Sequence, residues 1–238
     1  MLGNQGRAQS PKDSLKVAYF ASGCFWCVET IFESVDGVEE AVSGYSGGQE
    51  ENPSYESTSS GVSGHAETVA VYYNPSKISY QNLLTIYFGS QNPTTYGQFP
   101  DFGSAYRSVV FHQNKQEKKA IDSLYSILNR KIYGGRMQTE ILPFEKFYKA
   151  EEEHQDFEKN NPNNPYIQKV SIPRLARFKK GFSRLQTKNF KQWLQDKSVI
   201  YFFILVVNGQ NSQSKKNGCY NQYCVRQSIR CKGHANQY

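Results

Sequence analysis

The chain predicts an α/β (α+β) fold: a two-layer sandwich of a mixed sheet with helices on one side, a ferredoxin-like core carrying long functional loops. Three observations lead there. Apolar runs of strand length recur at 16–22, 38–45, 67–73 and 106–112. Segments with helical spacing follow or separate them, giving the order β-α-β-loop-β-α-β-α. Two polar stretches, 46–65 and 89–105, are too long for simple turns, and such loops in a compact domain are functional or disordered.

Each element has its own signal. Residues 16–22 (KVAYFAS) predict a buried strand, and GCFWCVETIFESV then repeats its apolar residues at helical spacing. Residues 38–45 predict a strand ending in the turn cluster Gly44, Ser46, Gly47 and Gly48. Residues 67–73 (ETVAVYY) alternate and stop at Asn74-Pro75. Ser79 caps a helix through Phe88. After the second loop, 106–112 predicts a strand, and Asn114 with Glu117 at the capping-box position starts a helix to about residue 130. A short strand at 139–142 and a helix at 144–159, ended by Asn161-Pro162, complete the pattern.

The 238 residues suffice for one sizeable core plus an appendage. With 38% hydrophobic and 14% aromatic residues, the composition excludes a wholly disordered chain. The net charge of +7 is unevenly placed: residues 179–238 hold eleven of the 28 Lys/Arg and one of the 21 acids. The remainder is slightly acidic, so the globular part is not expected to bind nucleic acid. The segment MLGNQGRAQSPKDSL lacks the apolar core of a signal peptide. The apolar run at 199–207 (VIYFFILVV) has about half the length that spans a bilayer. We therefore expect a cytoplasmic monomer without membrane contact. Its parts are a polar N-terminal extension (1–15), a catalytic domain (16–183) and a basic C-terminal appendage (184–238) where the pattern fails.

Cys24 and Cys27 form a CxxC pair at the start of the first helix, while Cys219, Cys224 and Cys231 lie in the appendage. In a reducing compartment such a pair points to redox or metal chemistry more than to a structural staple. Unpaired N–H groups and the positive end of the helix dipole lower the pKa of a cysteine at a helix start. Cys27, one turn on, is placed to attack an oxidised Cys24; inert buried thiols are the bland alternative.

The neighbouring residues decide. Gly23-Cys24-Phe25-Trp26, Gly44-Tyr45-Ser46-Gly47-Gly48, Asn52-Pro53-Ser54-Tyr55, Gly64-His65-Ala66-Glu67, the run Asp101 to Ser108 (DFGSAYRS) and the run Ala150 to Gln155 (AEEEHQ) occur in this order. Together they resemble the A-type peptide methionine sulfoxide reductases over about residues 16–178. The resemblance implies reduction of methionine S-sulfoxide, free or in oxidised proteins, to methionine. It assigns Cys24 as nucleophile, Glu67 as acid, Tyr55 and Tyr106 as oxygen binders, Phe25 and Trp26 as the pocket for the S-methyl group, and Asp101 as a contact to the substrate backbone. It implies no cofactor and no metal.

The chemistry needs such groups. A thiolate attacks the sulfoxide sulfur, but the oxygen leaves poorly unless protonated or strongly hydrogen-bonded. A carboxyl beside an apolar strand keeps its proton, and two tyrosine hydroxyls add donors. Cys24 is left as a sulfenic acid, which a second thiol condenses to a disulfide that a thioredoxin-like donor reduces. Family members resolve with different cysteines. Cys27 is favoured by proximity, although helical Cβ atoms at that spacing are ~5–6 Å apart and a disulfide wants ~3.5–4.5 Å. Cys219 stays open as an alternative. His65 reads as packing or polar support, His112 as an ordinary strand residue, and His154 with Glu151–Glu153 as a solvated helix face. A thioredoxin-like disulfide oxidoreductase needs the CxxC but leaves Glu67 and the tyrosines without a role. A zinc module would join Cys24 and Cys27 to tail cysteines at poor spacing.

Overall fold

The computed structural model describes residues 15–182. The apolar run at 199–207 and Cys219, Cys224 and Cys231 lie outside the described residues, as do positions 1–14. In chain order the elements are β1 (Lys16–Ala21), α1 (Phe25–Glu33), β2 (Val38–Ser46), α2 (Tyr55–Ser59), β3 (Ala66–Tyr73) and α3 (Tyr80–Gly89). A hairpin of β4 (Gly97–Gln98) and β5 (Asp101–Phe102) leads through a 3₁₀ turn (Ser104–Tyr106) to β6 (Val109–His112). Then come α4 (Lys115–Lys131), β7 (Glu140–Pro143), β8 (Phe147–Lys149), a second 3₁₀ turn (Glu152–His154) and α5 (Phe157–Asn160). A π-helical turn (Ile167–Ser171) runs directly into α6 (Ile172–Phe182).

The sheet order is β7-β6-β1-β3-β2-β8. Its central four strands, β6-β1-β3-β2, are antiparallel throughout, the ferredoxin-like arrangement. β7 joins parallel to β6 and β8 antiparallel to β2, so the sheet is mixed. Period-two alternation sends Ala18 and Phe20 of β1, Val69 and Val71 of β3 and Val110 of β6 into one core with the apolar faces of α1, α3 and α4. Each fully buried Phe or Leu there contributes about 1.5–3 kcal/mol. Ala21, Ala66, Val109 and Phe111 face the other way, with Tyr19, Leu142 and Phe144. There the Tyr19 ring lies 3.8 Å from Phe144, just past β7, and 5.5 Å from Phe147 on β8. Because β7 and β8 are opposite edges, these contacts curl the sheet over its central strand.

The helix caps follow the sequence reading. Ser79 Oγ accepts from the Asn82 N–H at 3.2 Å, and Asn114 Oδ1 from the Glu117 N–H at 2.9 Å. The helix expected at 144–159 is corrected. Phe147–Lys149 is instead a strand on β2, followed by a 3₁₀ turn and four helical residues. Gln155 spends its side chain on Ser43 N (3.1 Å) and Ser43 O (3.0 Å), and Asp156 adopts φ 52°, so no continuous helix forms. The polar loops hold α2 and the β4–β5 hairpin. Among the described residues, no helix is long and apolar enough to cross a membrane.

Candidate active site

The β1–α1 turn is built to present Cys24. Gly23 has φ 72°, and a Cβ there would lie 2.7 Å from Gln98 Cβ on the hairpin. Its N–H donates to Tyr106 O at 2.9 Å. Cys24 is the N-cap residue of α1, and its side chain makes no capping bond. The first helical N–H, that of Phe25, donates instead to Glu67 Oε2 at 2.9 Å. Glu67 shares the face of Val69 and Val71 on β3, which carries its carboxyl to the start of α1, 1% exposed.

Burial raises the Glu67 pKa to about 8, against the Phe25 N–H that favours the ionised form. Burial, with Glu67, Cys24 and Asp101 adding, pushes Tyr55 up to about 12, opposed by a hydrogen bond from Tyr106. Tyr106 is raised by the same groups. At neutral pH three protonated donors therefore gather around Cys24.

The two reduced thiols are buried and hydrogen-bonded to each other. Burial, the bond to Cys27 and the nearby Glu67 and Asp101 raise Cys24 well above an ordinary thiol. Cys27 is lowered to about 6, first by the bond from Cys24, then by Arg174, Ser171 and Tyr166. The two thiols therefore titrate as a coupled pair, with burial opposing ionisation of both. The direction at Cys24 runs against the expectation that the helix start lowers its pKa. The first free N–H of α1 is already taken by Glu67.

An aromatic wall continues the site. Phe25 is fully buried, with His154 at 5.4 Å, Tyr45 at 6.0 Å and Tyr55 at 6.3 Å between ring centroids. Trp26 is partly buried, stacked on Phe157 at 3.8 Å and edge-on to Tyr166 at 5.8 Å. Asp101 is half-buried and accepts from the Tyr166 hydroxyl at 2.5 Å. All eight residues singled out in the sequence lie in this one region, at the start of α1 and on the segments that frame it.

Several residues here were not found in the sequence. His154, read as part of a solvated face, is buried with its ring 4.3 Å from Tyr55, and neither ring nitrogen has a hydrogen-bond partner. Glu151 is no idle acid: Oε1 accepts from the Tyr55 N–H (2.9 Å) and Oε2 from the Tyr45 hydroxyl (2.7 Å), holding the Tyr55 backbone and the Tyr45 ring. Tyr166 Oη lies 3.8 Å from Cys27 Sγ. Arg107 clamps the polar loop through Gly47 O and Gly64 O, both at 3.1 Å. His65 bonds Gly48 N and Glu50 O and so supports that loop, while His112 is a half-buried strand residue. Away from the site, carboxylate oxygens of Glu29, Glu33 and Asp156 lie within 4.8 Å of one another, but Lys159 already bonds Glu33 and Asp156.

A paired buried dithiol at a helix start, faced by a protonated carboxyl and two tyrosines on an α/β sheet, defines a thiol-dependent reductase. A family model described as peptide methionine sulfoxide reductase matches residues 16–186. The peptide methionine sulfoxide reductase MsrA of Sulfolobus acidocaldarius is 41% identical over 169 residues, 71% of this chain and 96% of the relative. MsrA 1 of Rhodopirellula baltica is 40% identical over 168 residues, 70% and 87% of the two chains. Among solved structures, reduced Mxr1 from Saccharomyces cerevisiae superposes with a TM-score of 0.61 at 29% identity, covering 67% of this chain and 92% of that one. Methionine sulfoxide reductase A of Corynebacterium diphtheriae gives 0.57 at 30% identity, covering 63% and 76%. The chain belongs to the peptide methionine sulfoxide reductase family and is a thiol-dependent oxidoreductase that reduces methionine sulfoxide.

Proposed function

We propose that the chain reduces the S epimer of methionine sulfoxide with Cys24 as nucleophile and Cys27 as resolving thiol. The observation that carries this reading is the buried Glu67 carboxyl, held by the Phe25 N–H beside the Cys24–Cys27 pair. Phe25 and Trp26 hold the substrate's methyl group. Glu67, Tyr55 and Tyr106 hold its oxygen, and Asp101 contacts its backbone. Cys24 gives up its proton as its sulfur attacks the sulfoxide sulfur, while Glu67 protonates the oxygen. Methionine leaves, the oxygen passes to Cys24 as a sulfenic acid, and Cys27 condenses with it to a disulfide, releasing water. A thioredoxin-like dithiol restores both thiols. No step calls for a cofactor or a metal.

The same reading makes residues 16–183 the catalytic domain of a cytoplasmic monomer, with 184–238 dispensable for chemistry. The test is Cys27→Ser in the full chain and in a chain cut after residue 183. Both should release one methionine per enzyme, stall with thioredoxin, and recover partly with a small dithiol. The cut chain with Cys27 intact should turn over nearly as the full chain does. If it stalls, a tail cysteine resolves and the assignment of Cys27 is wrong.

A further inference from the structure

Tyr166 has a place in the site that none of the steps above uses. It precedes the π-helical turn, and its ring stands edge-on to Trp26 at 5.8 Å. Its hydroxyl lies between two groups of different character. On one side it donates to Asp101 Oδ2 at 2.5 Å, and on the other it lies 3.8 Å from Cys27 Sγ. A phenol has a single proton, and the short bond to Asp101 uses it. In the contact to sulfur the Cys27 S–H is therefore the donor and Tyr166 Oη the acceptor. The three groups form a chain that starts on the resolving thiol and ends on a carboxylate, with both hydrogens pointing the same way.

A base is needed at this place. Cys27 is 1% exposed, so burial opposes its ionisation. In the reduced pair the largest influence favouring its thiolate is the hydrogen bond with Cys24, and that S–H is gone once Cys24 is a sulfenic acid. The other groups around Cys27 are poor acceptors. Glu67, from β3, holds its own proton at neutral pH, as do Tyr55 and Tyr106. Arg174 and Arg177 on α6 are cations. Arg174, 5% exposed, is held by Ser90 O at 3.2 Å and Ser22 O at 3.1 Å. Ser171 stands beside the same sulfur, but its hydroxyl donates to Glu158. Asp101 is half-buried; burial raises it above an ordinary carboxyl, while Tyr166 and Arg174 favour its ionised form.

We propose that Tyr166 relays the Cys27 proton to Asp101 as the disulfide closes, so that Asp101, acting through Tyr166, is the base of the second half of the cycle. This inference rests on Cys27 being the resolving thiol. Tyr166 Oη takes the proton from sulfur as its own proton passes to Asp101 Oδ2. The electron pair freed on Cys27 attacks Cys24 Sγ of the sulfenic acid. An S–S bond forms, the S–O bond breaks, and the hydroxide takes a proton from Glu67 and leaves as water. Asp101 then returns its proton to Glu67 through solvent. The sum is one thiol and one sulfenic acid giving one disulfide and one water: Cys27 is oxidised, the Cys24 sulfur is reduced, and no outside oxidant enters. An order follows from the double use of Asp101. In the reading above this carboxylate contacts the substrate backbone, so it is free to accept a proton only after methionine has left.

The test uses the full chain with saturating methionine sulfoxide and no reductant, so that each molecule turns over once. Released methionine and the Cys24–Cys27 disulfide are quantified after acid quench between about pH 6 and pH 8. In the native chain the disulfide should form at a rate nearly independent of pH. Tyr166→Phe keeps the ring against Trp26 and removes both hydrogen bonds. It should form the disulfide roughly 30-fold more slowly at pH 7, the reciprocal of the thiolate fraction of a thiol with pKa about 8.5, and about tenfold faster for each pH unit gained. Asp101→Asn still accepts from Tyr166 but cannot take the proton. It should show the same rise with pH even where weaker substrate binding slows methionine release, and it carries the test should the Phe variant not fold. A purely structural Tyr166 would slow both steps by the same factor at every pH. That result, or a disulfide that keeps pace with methionine release in Tyr166→Phe, would overturn the proposal. So would a rise with pH in Ser171→Ala without one in Tyr166→Phe, which would send the proton to Glu158. A Cys27→Ser chain that still forms an internal disulfide would show that Cys27 is not the resolver, a failure read without any change at Tyr166.

Discussion

Replacing Glu67 by glutamine separates what this carboxyl does for catalysis from what it costs the fold. The Gln side chain still offers an oxygen to the Phe25 N–H, so the start of α1 keeps its partner. It loses the O–H proposed to protonate the sulfoxide oxygen. Removing one donor of this kind costs about 3 kcal/mol, or roughly a hundredfold in rate. The stability effect has the opposite sign. In the unfolded chain Glu67 titrates near 4.3, whereas in the fold burial raises it to about 8. The folded state therefore binds the extra proton, and ΔG of unfolding falls as pH rises from about 4.3 to about 8, then levels. At pH 7 the penalty is on the order of 3 kcal/mol, which glutamine escapes. Glu67→Gln should thus be about a hundredfold slower in single-turnover methionine release yet melt ~5–10 °C higher at pH 7. That gain should shrink toward zero near pH 4.5. Calorimetry at several pH values with quenched single turnovers would check both. A rate loss well below tenfold, or a melting difference that does not change with pH, would refute the reasoning.

Other outcomes follow from the same geometry. Cys24→Ser should abolish reduction with dithiothreitol while circular dichroism stays native, because Cys24 is the proposed nucleophile and the only other cysteine among the described residues, Cys27, lies deeper. Tyr55→Phe and Tyr106→Phe should each lower the rate, but less than Glu67→Gln, since two donors remain in each; equal losses would mean that Glu67 is no special acid. In the proposed pose, with the methyl group on Phe25 and Trp26 and the oxygen on three donors, one hand of the sulfoxide presents its sulfur to Cys24. Chiral chromatography of a racemic mixture should show the S epimer consumed and the R epimer left.

The core of the fold was legible because its signals are local. Alternation in 67–73 and caps at Ser79 and Asn114 require no knowledge of partners. That Cys24, Glu67 and the tyrosines belong together was legible from their separated motifs, and the fold brings them to the start of α1. The rest depends on contacts that local patterns do not carry. The stretch 144–159 has helical composition, but pairing with β2 and the grip of Gln155 on Ser43 override it. His154 stands among three glutamates and reads as solvated; only the folded chain slides its ring under Tyr55. Arg174 looks like one basic residue among many in IPRLARFKK. Its partners are the carbonyls of Ser22 and Ser90, and a carbonyl acceptor leaves no mark in a sequence.

The Arg174–Ser22 bond spans 152 positions in the chain. During synthesis, β1 and the Cys24 turn emerge long before α6 exists to tether them. The strand beside β1 that completes its pairing, β6, also arrives late. A nascent chain that ends before α6 therefore cannot tether the Cys24 turn in the manner of the folded protein, and contacts this distant close slowly. Setting of the Cys24 turn waits on α6, so a nascent chain carries its two cysteines on an untethered turn until that helix docks.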